Sequence, residues 1–517
     1  MAKIGIDFGT TNSLMVAYDK STNQFTYFHY DDKQTDKPVP ISSTVWYYDS
    51  KIVVGKEARE NINKFSGMPG HHFEKSIKLK LGKIPTINIL EEHFEPYQVA
   101  KEIINKLYSV AQENNADKSG ADINSAIFTV PIKFDGLQRE ALRKAANESG
   151  IEVINFIHEP FAAIIGHFFE KEKEQKDSTV IIQQLKSYNK NVLVFDWGGG
   201  TLDITVVQIN DGKMIECGTA ELTDRAGDKF DEMIANFAWD KFANKHCKQY
   251  SKEKLNKMKT EHWDKLLDRA EQCKKILDTS EKTNFLVNIA ENLDIEEQVT
   301  RKDFENLVEG TLLEACNKIN EAIKKAGDIN IEEVLLVGGT CKIPLVQDKL
   351  HEKMGHKVET SKSGDLLIAQ GAAVIAEMGW TPFLLKDIAI LLSDDSTYTI
   401  FEKNLPLISQ PNQDEELICV DQRKGYAKII IVEVNNNDNK KRDTKAILKV
   451  PVLANERFGD EINFRASINK NLIIEINAYS KMELQDESGN PKKDKDKTYN
   501  ISKSTSIYDL CFGLDFD

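Results

Sequence analysis

The sequence predicts an α/β protein made of two related halves, followed by a small antiparallel β-sandwich. Three observations lead there. From about residue 2 to residue 379, apolar β-branched runs alternate with amphipathic helical stretches, the alternation of an α/β domain. Within that region KIGIDFGTTNSLMVAYD (3–19) and VFDWGGGTLDITVV (194–207) share one design: an apolar run, an aspartate, a Gly/Thr-rich tip and a second apolar run. Two such segments so far apart read as an internal duplication with a shared ligand between the halves. Beyond about residue 388 helical periodicity fades, and KIIIVEVN, AILKVPVL, EINFRASI and LIIEINAYS are short β-runs separated by Asn, Asp and Gly turns.

In chain order, the first hairpin sets Asp7 before Gly9-Thr10-Thr11, and the second sets Asp196 and Asp203 around Gly198-Gly199-Gly200. A tip without side chains can aim successive N–H groups at a phosphate. The flanking aspartates would repel that phosphate unless a divalent cation lay between, so the residues point to a Mg²⁺–nucleotide; a plain tight turn is the competing reading. No G-x-x-x-x-G-K-[ST] motif occurs, which excludes a P-loop. AIFTVP (126–131) reads as a strand and 134–150 as a helix closed by glycine. Residues 251–278 read as exposed helices, and EVLLVGGTCKIP (333–344) as a strand ending in a Gly-Gly turn. WTPFLLKDI (380–388) reads equally as a linker or a buried strand. DESGNPKKDKDK (486–497) is expected to be a mobile loop, and the last residues a frayed end or a docking peptide.

The net charge of −14 argues against general binding to nucleic acid or an anionic membrane. No apolar run of about 18 residues predicts a membrane helix, and the N-terminus enters a strand with no signal-like segment. Seven cysteines without a C-x-x-C pair predict reduced thiols in a cytoplasmic compartment and no structural zinc.

A set of separated motifs over about the first 380 residues resembles, in its order along the chain, that of the Hsp70 chaperone family within the actin-like ATPase fold. IGIDFGTTNS and FDWGGGTLDI resemble its phosphate loops, SIKLKLG its catalytic-lysine segment, VPIKFDGLQREAL and INFIHEPFAAIIG its hinge-proximal segments, and VLLVGGTCKIP with DLLIAQGAAV its adenosine motif. The resemblance implies a two-lobed ATPase domain (1–380), a hydrophobic linker (381–388), a sandwich that binds extended polypeptide (389–500) and a short tail (501–517). It implies ATP/ADP with Mg²⁺, and K⁺ as a further ion. Lys78, Glu159, Thr201 and Asp203 would act in hydrolysis, and Asp7 and Asp196 would hold hydrated Mg²⁺. Gly9, Thr10, Thr11, Asn12, Gly198, Gly199, Gly200, Thr201 and Gly227 would surround the phosphates. Glu271, Lys274, Lys275, Gly338, Gly339, Thr340, Lys342, Ile343 and Asp365 would surround the nucleoside. Pro131, Arg139 and Asp387 would carry the allosteric signal, against structural alternatives of a strand-ending proline and a surface arginine. Unfolded peptides, a J-domain co-chaperone and a nucleotide exchange factor are the implied partners.

The sequence departs from the family at several positions. Lys275 and Lys342 stand where arginines stack on adenine, and lysine lacks the planar guanidinium. Asp278 replaces a serine, Ala226 a glycine and Trp197 a smaller apolar residue. The sequence reads as ending about where the family's helical lid would begin, so a lidless sandwich is expected, and no EEVD occurs in it. Cys273 and Cys341 flank the expected adenosine pocket, as redox-sensitive or as buried inert thiols. A non-cycling holdase, exchange factor or adaptor for one partner is therefore the alternative to an ATP-driven chaperone.

Overall fold

The computed structural model describes residues 2–28, 38–118, 121–172, 177–290, 293–361, 364, 366–420, 425–434, 442–452, 460–482 and 499–516. The chain forms two compact units: residues 1–131, 141–380 and 516–517, and residues 132–140 with 381–515.

The first unit holds the duplication. In its first half, strands Lys3–Phe8, Asn12–Asp19 and Gln24–Phe28 form an antiparallel meander. Ser125–Val130 then pairs parallel to Lys3–Phe8, and Glu152–His158 parallel to Ser125–Val130. The second half repeats the plan: Lys190–Trp197, Thr201–Asn210 and Lys213–Thr223 form the meander. Glu333–Val337 then pairs parallel to Lys190–Trp197, and Val358–Thr360 parallel to Glu333–Val337. The sequence reasons are the same twice. The opening strands lie inside mixed sheets, between a parallel and an antiparallel neighbour. On one face Ile4, Ile6 and Phe8, like Leu193, Phe195 and Trp197, are fully buried, and on the other Gly5, like Val192 and Val194, is buried too.

Two helices, Glu159–Lys171 and Leu367–Met378, cross where each carries a glycine. A Cβ on Gly371 would lie 1.8 Å from the Ala162 carbonyl oxygen, and one on Gly166 2.0 Å from that of Leu367. Only hydrogen fits between these backbones. Trp197, larger than the family residue it replaces, fills the core of the second half, edge-on to Phe195 and Phe230, and its indole N–H donates to the Arg225 carbonyl at 3.2 Å.

The second unit contains two four-stranded antiparallel sheets over one apolar core. One runs in the order Thr397–Phe401, Asp387–Leu391, Tyr426–Val434, Arg442–Pro451; the other Gln413–Cys419, Asp460–Ile468, Ile474–Met482, Tyr499–Ile507. Ile390, Ile431, Val450, Phe464, Ile474 and Ile476 line the shared core.

Two expected boundaries shift. The segment read as a linker (381–388) is strand Thr381–Leu384 and the start of Asp387–Leu391, with Leu384 and Ile388 in the sandwich core. Pro382, Phe383, Leu384 and Ile388 are buried, as the strand reading had it, while Leu385 is partly exposed. The sandwich also continues past residue 500. Tyr499–Ile507 pairs with Ile474–Met482, and Phe512–Asp515 pairs with Thr381–Leu384, so the expected tail is structural. The charged loop at 486–497 lies outside the described residues. Among the described residues no helix is long and apolar enough to cross a membrane.

Candidate functional site

Duplication places the two key aspartates identically. Asp7 and Asp196 are each the second-last residue of an opening strand, opposite Leu14 and Asp203. The Thr129 hydroxyl donates to Asp7 Oδ1 at 3.2 Å. Lys78 sits in the 3₁₀ turn Ile77–Leu79, set by the left-handed Ser76 at φ 56°. Its ammonium donates to Glu159 Oε1 at 2.6 Å, and Glu159 is the first residue of its helix. Thr201 Oγ1 donates to Asp203 Oδ2 at 2.8 Å.

Four carboxylates thus surround one ammonium. Withdrawal from water raises Asp196 well above the usual carboxylate range, and the charges of Glu159, Asp203 and Asp7 add to the shift. Burial likewise pushes Asp203 up to about 6, against the hydrogen bond from Thr201. Burial opposes the charge on Lys78, but Glu159, Asp7 and Asp196 outweigh it and hold the lysine above its ordinary value. The cluster lacks positive charge, and its donors are hard oxygens, which suits Mg²⁺.

The glycine tips close in above these acids. A Cβ on Gly199 would lie 2.3 Å from Thr11 Oγ1, so the two hairpin tips face each other directly. Thr11 Oγ1 is buried with no hydrogen-bond partner, an orphaned hydroxyl at the approach of the two tips. Thr10 lies over Gly200, Ser43 Oγ donates to the Gly9 carbonyl at 2.9 Å, and Asn12 opens the return strand. Thr340 Oγ1 donates to the Gly198 carbonyl at 2.8 Å, and Gly227 N–H donates to the same carbonyl at 3.1 Å. The residues present fit a triphosphate with its cation.

Among the residues expected around the nucleoside, Gly338 takes φ 86°, and a Cβ there would strike the Trp197 carbonyl at 2.5 Å. Gly339, Thr340 and Lys342 form the following 3₁₀ turn, and Ile343 is buried at the start of helix Pro344–Met354. Lys274 donates to the Gly227 carbonyl at 2.8 Å and to Asp231 at 2.9 Å. Glu271 pairs with Lys275 at 2.9 Å and with Arg59, which reaches it from helix Lys56–Phe65 of the first half. Lys275 and Lys342 are exposed. Burial raises Asp278 to about 6, with Lys274 and Lys342 pulling it down. Asp365 lies outside the described residues. Ala226 is extended at φ −123°, open to any residue, so the missing glycine there carries no strain. Cys273 and Cys341 are both buried, and burial raises the Cys273 thiol.

Of the three residues expected to signal, Pro131 belongs to the first unit and Arg139 and Asp387 to the second. Pro131 follows strand Ser125–Val130 in the first unit. Arg139 belongs to the second unit and is 1 % exposed, not a surface arginine. Its guanidinium donates to the carbonyls of Asn471 (2.8 Å), Leu472 and Tyr508 (both 3.2 Å), and Phe134. Loss of hydration lowers it to about 10. Asp387 Oδ1 accepts the Lys403 N–H at 2.7 Å.

Sequence reasoning missed Thr129, Arg59 and Asp231. Thr129 is one residue from a quoted motif, whereas Arg59 and Asp231 sit on helices whose patterns mark only amphipathicity.

A family model described as "Hsp70 protein" matches residues 3–503. The "Chaperone protein DnaK" of Mycoplasma mobile is 30% identical over 383 residues, which cover 72% of this chain and 57% of that protein. The match spans less than two thirds of that relative. With the duplicated sheets, the sandwich and a match over nearly the whole chain, the protein belongs to the Hsp70 family.

Proposed function

We propose that the protein is an ATP-dependent chaperone whose first unit binds and slowly hydrolyses Mg²⁺–ATP and whose sandwich binds extended polypeptide. The observation that carries this reading is the convergence of both glycine tips, with the orphaned Thr11 hydroxyl, on four carboxylates and Lys78. Asp7 and Asp196 would hold the hydrated Mg²⁺, which supplies charge neutralisation at the phosphates. Lys78 balances the γ-phosphate, and Glu159 keeps the lysine in place and charged. Thr201 and Asp203 form a hydrogen-bonded pair suited to orienting the attacking water. Arg59 and Glu271 close the cleft edge over the nucleoside. Arg139 and Asp387 are proposed to relay nucleotide state, and a J-domain protein and an exchange factor to set its pace.

The test is ATP turnover by the purified chain, alone and with a J-domain protein and an unfolded peptide. We expect stimulated turnover that Lys78→Ala lowers by about 10²–10³-fold, the scale for losing one transition-state charge contact, while ATP binding persists. Unchanged turnover in Lys78→Ala refutes the site. The exposed Lys275 and Lys342 in place of stacking arginines favour a second reading, a nucleotide-holding adaptor. Tight ATP binding with no stimulated turnover would select it.

A further inference from the structure

Away from the phosphate cleft, His167, Glu333 and Glu359 converge in the first unit, their ligand atoms all within 4.8 Å of one another. His167 lies on helix Glu159–Lys171, Glu333 opens strand Glu333–Val337 and Glu359 lies on Val358–Thr360. The imidazole is 7 % exposed, yet neither ring nitrogen has a hydrogen-bond partner. A satisfied core histidine would have one, since leaving buried polar atoms unpaired is costly. Its Nε2 faces Glu333 Oε1 at 3.8 Å and Glu359 Oε2 at 4.0 Å. Those gaps exceed a hydrogen bond but lie near the ~3.4 Å that separates ligands around a tetrahedral ion with bonds of about 2.1 Å. The Tyr188 hydroxyl and the Lys190 ammonium, the latter at 3.2 Å, hold the other Glu333 oxygen, as outer partners orient a ligating carboxylate.

We infer that these three residues form a binding site for a divalent transition ion of zinc type, a role independent of nucleotide hydrolysis. One imidazole with two carboxylates suits that class better than Mg²⁺ or Ca²⁺, which prefer oxygen alone. The Lys171 ammonium, 2.9 Å from Glu359 and 3.7 Å from Glu333, sits where the ion's charge belongs. Its side chain is half exposed and free to swing into solvent when the ion enters. The ion would tie the helix that begins at Glu159 to the strand that leads into Gly338.

Isothermal titration of Zn²⁺ into the full-length, metal-stripped chain, with Mg²⁺ saturating the cleft, tests this. The wild type is expected to bind one Zn²⁺ more than His167→Gln. Glu359→Gln, at a half-exposed position that leaves folding intact, is expected to weaken that site by about tenfold or more. Lys171→Ala is expected to tighten it about fivefold by removing a competing unit charge some 4 Å away. Isotherms of Glu359→Gln and Lys171→Ala that superimpose on the wild type would overturn the site, whether or not His167→Gln folds.

Discussion

Asp231 shows how a single buried charge sets a pH response. It is 5 % exposed, and burial pushes its carboxyl up to about 6 even against its Lys274 partner. Between the ordinary carboxylate value of 3.8 and about 6, the folded chain holds a proton that the unfolded chain has lost. Stability from this group therefore falls as pH rises through that window, by roughly 3 kcal/mol for a shift of about two units. Asp231→Asn should flatten that part of a Tm-versus-pH curve; an unchanged slope assigns the dependence elsewhere. Arg59 offers a second test at this scale. Its pairing with Glu271 is partly exposed, worth about 1 kcal/mol at most, so Arg59→Ala should speed release of a fluorescent ADP analogue by up to about fivefold. Equal release rates would remove Arg59 from the cleft closure proposed above.

Among the elements, the crossing of helices Glu159–Lys171 and Leu367–Met378 is the least forgiving contact. A side chain at Gly371 meets backbone, which cannot yield as a flexible side chain would. Gly371→Val should lower stability by about 3 kcal/mol or more, read as a large fall in Tm. A Tm near wild type would mean that the helices can part. The strand Phe512–Asp515 invites the opposite comparison, because the sequence there reads as a tail. Phe512 is 1 % exposed in the sandwich core, so Phe512→Ala should cost about 3–5 kcal/mol, whereas a frayed end would lose nothing.

For the molecule as a whole, the second unit is discontinuous in sequence. Residues 132–140 belong with 381–515, and Arg139 joins them through carbonyls at 471, 472 and 508. Arg139→Ala would remove the buried hydrogen bonds to the Phe134 and Leu472 carbonyls, at about 1–3 kcal/mol each, while the Tyr508 carbonyl keeps the Gly136 N–H. We expect faster amide exchange around 471–473 and 508, with ATP binding retained and its effect on peptide affinity reduced. Unchanged peptide coupling would leave Arg139 a structural tether alone.

The sequence by itself determined the duplicated α/β plan, because alternating apolar runs and two Asp–Gly hairpins are local patterns that repeat in register. It also made legible the residues proposed to surround the phosphates, since glycine tips and their aspartates are contiguous in the chain. Tertiary structure alone decided the fate of residues 381–388 and 499–515. An apolar run reads the same as linker or as buried strand until a partner strand covers it, here Phe512–Asp515 against Thr381–Leu384. Tertiary structure alone also paired Arg59 with Glu271, buried Arg139 and brought His167 to Glu333 and Glu359. These are contacts between residues far apart in the chain, and a helical pattern shows which face is apolar but not what the opposite face will meet.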